Sequence, residues 1–276
     1  MKTPLAPLST AALFPDMRAE LLRVLRALPD EAWSLPTACA GWSVRDVAAH
    51  IVADDLAYLS RHRDRDGLTL VPKDWDDLVQ QINAHNDVWV RAAKRISRTL
   101  LIGLLEFTGA QMDAFVISLT LDTLTDPVGW ASDALAPMWL QLARELTEYW
   151  MHHQHICEAA GVDSLKDRRF LHPVLSTFVH ALPRTYADIS APLDTAVQLC
   201  VTGPAADHWY VIREAGGWVL YKETDIAPAS VVTMDGDTAW RIFTKGITPA
   251  EAEARASIDG DVALGRVMLN TVAIIA

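Results

Sequence analysis

The stretch Thr147-Glu148-Tyr149-Trp150-Met151-His152-His153-Gln154-His155 is dense in groups that hold metals and move protons. Glu148 and His152 stand four apart, so on a helix both side chains leave the same face, one turn from each other. A distant stretch, Gly41-Trp42-Ser43-Val44-Arg45-Asp46-Val47-Ala48-Ala49-His50, ends in an imidazole that a second helix could bring to the first. Two imidazoles and a carboxylate make a three-ligand set for zinc with one position open, the arrangement of a catalytic rather than a structural site.

The same helix admits a plainer role. Trp139, Leu142, Ala143, Leu146, Tyr149, Trp150, His153, Ile156 and Cys157 form an apolar face, and Glu148, His152 and His155 lie roughly opposite. Those three are either a solvated outer face or, if that face looks into a cleft reached by His50, a metal site. His155 is read as a fourth ligand, a partner that orients a ligand, or a surface residue. His153 falls on the apolar face and reads as a core histidine with one hydrogen bond. His62, His85, His172, His180 and His208 have no partner in spacing. Cys39 precedes the His50 helix, whose positive dipole end would depress a thiol pKa, although packing alone also accounts for a cysteine there.

Helices must position these groups. Apolar spacing predicts a first helix over Ser9 to Leu28, ended by Pro29-Asp30. A second runs from Val44 to Arg63, with Ser43 as its cap and Asp46 completing a capping box of variant type. A third carries Trp75 to Ala93. A fourth, more buried, covers Thr99 to Leu121, with Gly103 and Gly109 weakening it. After a turn-rich interval from Thr125 to Pro137, the helix with the central stretch covers Met138 to Ala160, stopped by Gly161. Another follows from Phe170 to Ile189. From Pro192 onward short alternating runs read as strands: Ala196 to Val201, Trp209 to Ile212, Trp218 to Tyr221 and Ser230 to Met234. Helical runs near Asp237 to Phe243 and Pro249 to Arg255 come next, and Val262 to Ile275 closes the chain. Helices followed by a mixed α/β texture imply two domains, residues 1–190 and 191–276.

The 276 residues are 51% apolar, enough for a core without covalent staples. A net charge of −11 with no basic cluster argues against a nucleic-acid partner. Cys39, Cys157 and Cys200 show neither a CxxC pair nor a disulfide framework, which suits a reducing cytosol. The N-terminus lacks the apolar run of a signal peptide, and no segment offers the ~20 uninterrupted apolar residues of a membrane span. The expectation is a cytoplasmic protein acting on a small molecule.

Pro36-Thr37-Ala38-Cys39-Ala40-Gly41-Trp42-Ser43-Val44-Arg45-Asp46-Val47-Ala48-Ala49-His50 resembles the signature of the mycothiol-dependent maleylpyruvate isomerase family, a branch of the DinB-like metal-binding four-helix bundles. Glu148-Tyr149-Trp150-Met151-His152 resembles the second half of that family's metal site. Ile258-Asp259-Gly260-Asp261-Val262-Ala263-Leu264 is similar to its C-terminal domain, which is like sterol carrier protein 2. The resemblance implies a DinB-like four-helix bundle followed by a small mixed α/β sterol-carrier-like domain. It assigns His50, Glu148 and His152 to zinc or another divalent metal, and implies a thiol cofactor such as mycothiol. This chain has His155 where the family often has Asp. Where the family often carries Gly-Arg it has Lys245, with Arg241 nearby, and these two are the candidate catalytic cations for a substrate carboxylate. The activity implied is thiol transfer to, or cis–trans isomerisation of, a small electrophile. Two alternatives stand beside it: a metal-dependent hydrolase with Glu145 as base, and a non-enzymatic module sheltering an apolar ligand in its C-terminal domain.

Overall fold

The computed structural model describes residues 1–274 and divides the chain into two compact units. Of the described residues, one unit takes 10–120 and 145–165; the other takes 1–9, 121–144 and 166–274. The position between residues 190 and 191 falls inside the second of these.

The helical unit begins with a 3-10 turn at Ala11–Leu13 and α1 at Phe14–Ala27. The first helix therefore starts later than its apolar spacing implies, because residues 11–13 wind more tightly. It ends as expected: Leu28 is extended, the conformation required of a residue before proline. In α2 (Val44–Tyr58) the predicted capping box is present, with the Asp46 amide donating to Ser43 Oγ and the Ser43 amide to Asp46 Oδ2 at 3.0 Å. Beyond Tyr58 the chain continues as a π-helical turn, Leu59–Asp64, stopped by Arg65 at a φ of 62°.

Helix α3 (Trp75–Ala93) follows; its Trp89 Nε1 donates to the Ala49 carbonyl at 2.7 Å and so braces α2. Helix α4 (Arg98–Ser118) packs Leu101, Leu105, Met112 and Val116 against α1 and α2. It is less buried than its composition predicts: Leu100, Phe107 and Ile117 lie exposed. By length and composition alone Arg98–Ile117 could cross a membrane, with a mean hydropathy of 1.5, although Glu106 and Asp113 lie within it.

Helix α5 (Met138–Ala160) buries the expected apolar face, from Leu142 to Cys157. Gly161, at a φ of 68°, ends it, and the Val162 amide bonds back to the Cys157 carbonyl at 2.8 Å. His153 Nε2 lies 2.7 Å from the Ser164 hydroxyl and 3.2 Å from Cys157 Sγ, so the core histidine has a second polar neighbour beyond the one bond expected of it. A polar network lies buried between α1, α2, α4 and α5. The Arg18 guanidinium grips both Asp55 oxygens at 2.7 and 2.8 Å, reaches Asp113 at 3.2 Å, and lies 4.5 Å from the Tyr149 ring. Thr108 Oγ1 donates to Asp55 at 2.7 Å. A Cβ on Gly109 would meet Arg18 Nη1 at 2.9 Å, so this glycine makes room for the guanidinium.

The second unit contains β1 (Lys2–Thr3), the hairpin β2 (Leu124–Pro127) and β3 (Leu135–Pro137), the start of α5, and α6 (Arg168–Phe178). The single helix expected to Ile189 is broken: a 3-10 turn at Val179–Ala181 separates α6 from α7 (Leu182–Thr185). Then come β4 (Ala196–Thr202), β5 (Asp207–Glu214), β6 (Gly217–Tyr221), β7 (Glu223–Thr224), β8 (Ser230–Asp235), α8 (Gly236–Phe243), α9 (Pro249–Glu253), β9 (Ser257–Gly260) and α10 (Val262–Met268). The four predicted strands are all present. They form a five-stranded sheet in the order β6-β5-β4-β8-β9, antiparallel except for β4 beside β8, and β1 pairs separately with β7. Trp209, Trp240 and Tyr186 fill the core. Strand β9 was not anticipated, and the closing run is helical only to Met268; Ile275 lies outside the described residues.

Candidate metal centre

The loop ahead of α2 is a tight reversal. The Thr37 amide donates to the Trp42 carbonyl at 2.9 Å, the Trp42 amide donates to the Cys39 carbonyl at 2.9 Å, and Gly41 takes a φ of 79° that a side chain would resist. The loop presents Cys39 and Trp42 to the same region as His50, whose ring lies 4.9 Å from the Trp42 ring.

His50 of α2 and His152 of α5 face each other edge to face, ring centres 4.6 Å apart, both less than a tenth exposed. The face of α5 that carries Glu148, His152 and His155 is thus turned inward, and the solvated-face reading does not hold. Each imidazole has a carboxylate one turn away on its own helix. Asp54 Oδ2 lies 3.0 Å from His50 Nε2, and Glu148 Oε2 lies 3.8 Å from His152 Nε2. His50, Asp54 and His152 offer ligand atoms all within 4.8 Å of one another. Cys39, His152 and His155 do so as well, with Cys39 Sγ 3.1 Å from His155 Nδ1.

Burial governs the protonation of the site. It pushes His50 down to about 4, and it pushes His152 well below the ordinary histidine range, with His50 and His155 adding to the effect. Both are neutral imidazoles at pH 7, the form that binds metal. Their Nδ1 atoms are buried without a hydrogen-bond partner among the described residues. The Cys39 thiol is raised to about 11, chiefly by burial and further by Glu148, against a bond from Thr37 that lowers it. The helix-dipole depression expected for this cysteine is therefore not what the surroundings produce. Neutral nitrogen donors, flanking carboxylate oxygens and an inward-facing thiol are the donor types that zinc takes.

A family model described as mycothiol maleylpyruvate isomerase N-terminal domain matches residues 14–157. The chain belongs to this family. The matched span runs from α1 through the metal-site stretch of α5, and it bears out both the family and the enzyme class that residues 36–50 and 148–152 implied. Among solved structures, a mutant of the mycothiol-dependent maleylpyruvate isomerase is similar at 13% identity and a TM-score of 0.51, covering 94% of this chain and 95% of its own. A second structure of the mycothiol-dependent maleylpyruvate isomerase has 12% identity and a TM-score of 0.48, with 86% and 88% covered. At such identity the first of these likenesses is one of fold alone, a helical region followed by a mixed sheet domain. No curated protein matches the chain.

For this member of the maleylpyruvate isomerase family, the structure brings His50 and His152 together, with Glu148 beside His152. Sequence reasoning missed Asp54. The signal was available, since Asp54 stands to His50 as His152 stands to Glu148, four residues apart on one helix. The other two predicted site residues are in the second unit. Arg241 is bound to Asp237 at 2.8 Å and stacked on Trp240, while Lys245 is exposed.

Proposed function

We propose that the chain is a zinc-dependent enzyme that uses a low-molecular-weight thiol of the mycothiol kind to isomerise, or to transfer the thiol to, a small electrophilic substrate. The family supplies the reaction class. The observation that carries the metal is the opposed, buried, neutral pair His50 and His152, with a carboxylate on each flank. In this reading His50, His152 and Glu148 hold the ion, and Asp54 either orients His50 or takes the carboxylate position. Zinc held there would supply an open coordination position for the cofactor's sulfur and favour its thiolate form.

The residues around the pair fit that task. Trp42 shields His50 from water on one side. Cys39, kept as a thiol by burial and hydrogen-bonded to His155, does not compete as a nucleophile at neutral pH. No disulfide joins Cys39, Cys157 or Cys200 among the described residues, in keeping with a reducing cytoplasm as the place of action.

The test is elemental mass spectrometry on protein purified without chelators or a histidine tag. Near-stoichiometric zinc is expected in the parent and its loss in His50→Ala and in His152→Ala. A drop of about 10- to 100-fold in affinity is expected for Asp54→Ala if it orients His50. A metal-free parent, or metal that survives both histidine substitutions, would remove the reading. Arg241 and Lys245 belong to the proposal as the cations that receive a substrate carboxylate. Lys245 lines a cleft of about 500 Å3 with Ile242, Ile247, Leu269 and Asn270. Lys245→Ala is expected to raise KM for an anionic substrate about tenfold with little change in kcat; an unchanged KM would take Lys245 out of the site.

A further inference from the structure

Helix α4 presents two faces, and among the described residues only one has a partner in the fold. Leu101, Leu105, Met112 and Val116 are buried. On the other side Leu100, Gly103, Phe107, Ala110, Ala114 and Ile117 are all exposed, with Leu100, Phe107 and Ile117 at 64%, 64% and 67%. Their steps alternate three and four residues, the seam that a facing helix requires. A chain that kept this stripe in water would be expected to carry charge there.

The stripe also matches itself in reverse. A two-fold axis passing between Thr108 and Gly109 sets Leu100 opposite Ile117, Gly103 opposite Ala114, and Phe107 opposite Ala110 of an antiparallel copy. Phe107 and its mate each meet an alanine, and a small pair lies between them and the aliphatic pair at each end. That is the self-complementarity of an isologous interface, in which one patch serves both subunits. The polar flanks obey the same axis: Glu106 falls opposite Gln111 and Thr99 opposite Ser118, so no like charges meet. Antiparallel alignment also opposes the two helix dipoles favourably.

Gly103 is the independent observation. A glycine in a helix interior costs about 1 kcal/mol relative to alanine. Gly109 has its reason in Arg18, but a Cβ on Gly103 would meet nothing within 4 Å, so the monomer gives no reason for a glycine there. A close-packed neighbouring helix does give one. We propose that the exposed face of α4 is a homodimer interface, with two copies pairing antiparallel about an axis between Thr108 and Gly109. A single helix pair lies at the small end of specific interfaces, so the dimer forms in the micromolar range.

Sedimentation of the full chain over micromolar concentrations tests the association, with phospholipid vesicle flotation run in parallel. A concentration-dependent dimer is expected, weakened at least about tenfold by Phe107→Glu and by Gly103→Leu. Neither site packs within the monomer core, so circular dichroism should match the parent for both, and thermal unfolding should be close to the parent for Phe107→Glu and no lower for Gly103→Leu, which gains helix propensity; if Phe107→Glu does not fold, Gly103→Leu carries the comparison. Orientation is read by disulfide trapping. The double variant Leu100→Cys, Ile117→Cys is expected to give a covalent dimer under oxidation, whereas Leu100→Cys alone is not, because its two copies sit about 26 Å apart at 1.5 Å per residue. A monomer at all concentrations, a dimer indifferent to both substitutions, or trapping through Leu100→Cys alone would overturn the proposal. A monomeric parent that floats with vesicles would assign the face to a membrane surface instead.

Discussion

Replacing Asp55 by alanine is expected to destabilise the protein by about 3–5 kcal/mol, the cost of leaving a buried charge without its partner. The Arg18 side chain is 5% exposed and that of Asp55 3%, and they meet through two parallel hydrogen bonds. Losing the carboxylate leaves the guanidinium with Asp113 at 3.2 Å and the Tyr149 ring, and leaves the Thr108 hydroxyl with the Leu104 carbonyl at 3.0 Å as its acceptor. Arg18→Met removes the other half with a cost of similar size. The double variant Arg18→Met, Asp55→Leu is expected to recover much of the loss, because an apolar pair of similar volume has no desolvation to offset. Urea unfolding followed by tryptophan fluorescence measures all three. A loss under 1 kcal/mol for Asp55→Ala would mean that water reaches the guanidinium. The network ties together the helices that carry His50 and His152, so a partly destabilised variant should lose metal affinity as well.

Acidification of the metal-free protein is expected to act next most strongly. Burial pushes His153 and His180 down to about 4, with Glu20 opposing and Arg23 adding to the shift at His153. Burial also takes His50 down to about 4 and pushes His152 well below the ordinary histidine range, with His50 and His155 adding to the effect at His152. Unfolded imidazoles titrate near 6.5. Below that value the unfolded chain takes up protons that the folded chain refuses, so stability falls as pH drops from 6.5 toward 4 and is indifferent to these groups above it. Each imidazole contributes a slope of up to about 1.4 kcal/mol per pH unit. Four of them can exhaust a stability of ~5–15 kcal/mol before pH 4. The Asp207 carboxyl, held down to about 2 mainly by bonds from Lys222 and His172 that outweigh its burial, weakens the fold only at lower pH. Urea midpoints measured with chelator from pH 7.5 to 5 should decline steadily below 6.5; a flat series would show that these imidazoles accept protons in place.

What the sequence made legible was local and periodic. The Ser43–Asp46 cap, the apolar face of α5, the glycine stop at Gly161 and four strands could be read because each depends on residues a few positions apart. The metal pair was legible only as far as spacing reaches. Glu148 and His152 share a face by arithmetic, but that this face turns inward depends on where α2 lies, which no single-helix pattern encodes. The short elements failed for a related reason. The 3-10 turn at Val179–Ala181 and strand β9 are imposed by packing, as at Gly265, where a Cβ would meet Ile258 Cγ2 of β9 at 2.3 Å. Gly109 was read as a weakness of its helix, and its reason is a guanidinium arriving from 91 residues away.

The pairing of β1 with β7 has a consequence for synthesis. Lys2 and Thr3 are made about 220 residues before their partners Thr224 and Glu223, an interval of roughly 10–45 s at ~5–20 residues per second. During that interval the leading strand has no mate. The helical stretch through α4 can form on its own neighbours as it emerges, but the second unit cannot close until the strands through β9 at Ser257–Gly260 have been made. A ribosome stalled before residue 223 would therefore hold the N-terminal strand open to protease, and protection of that strand would report completion of the sheet unit.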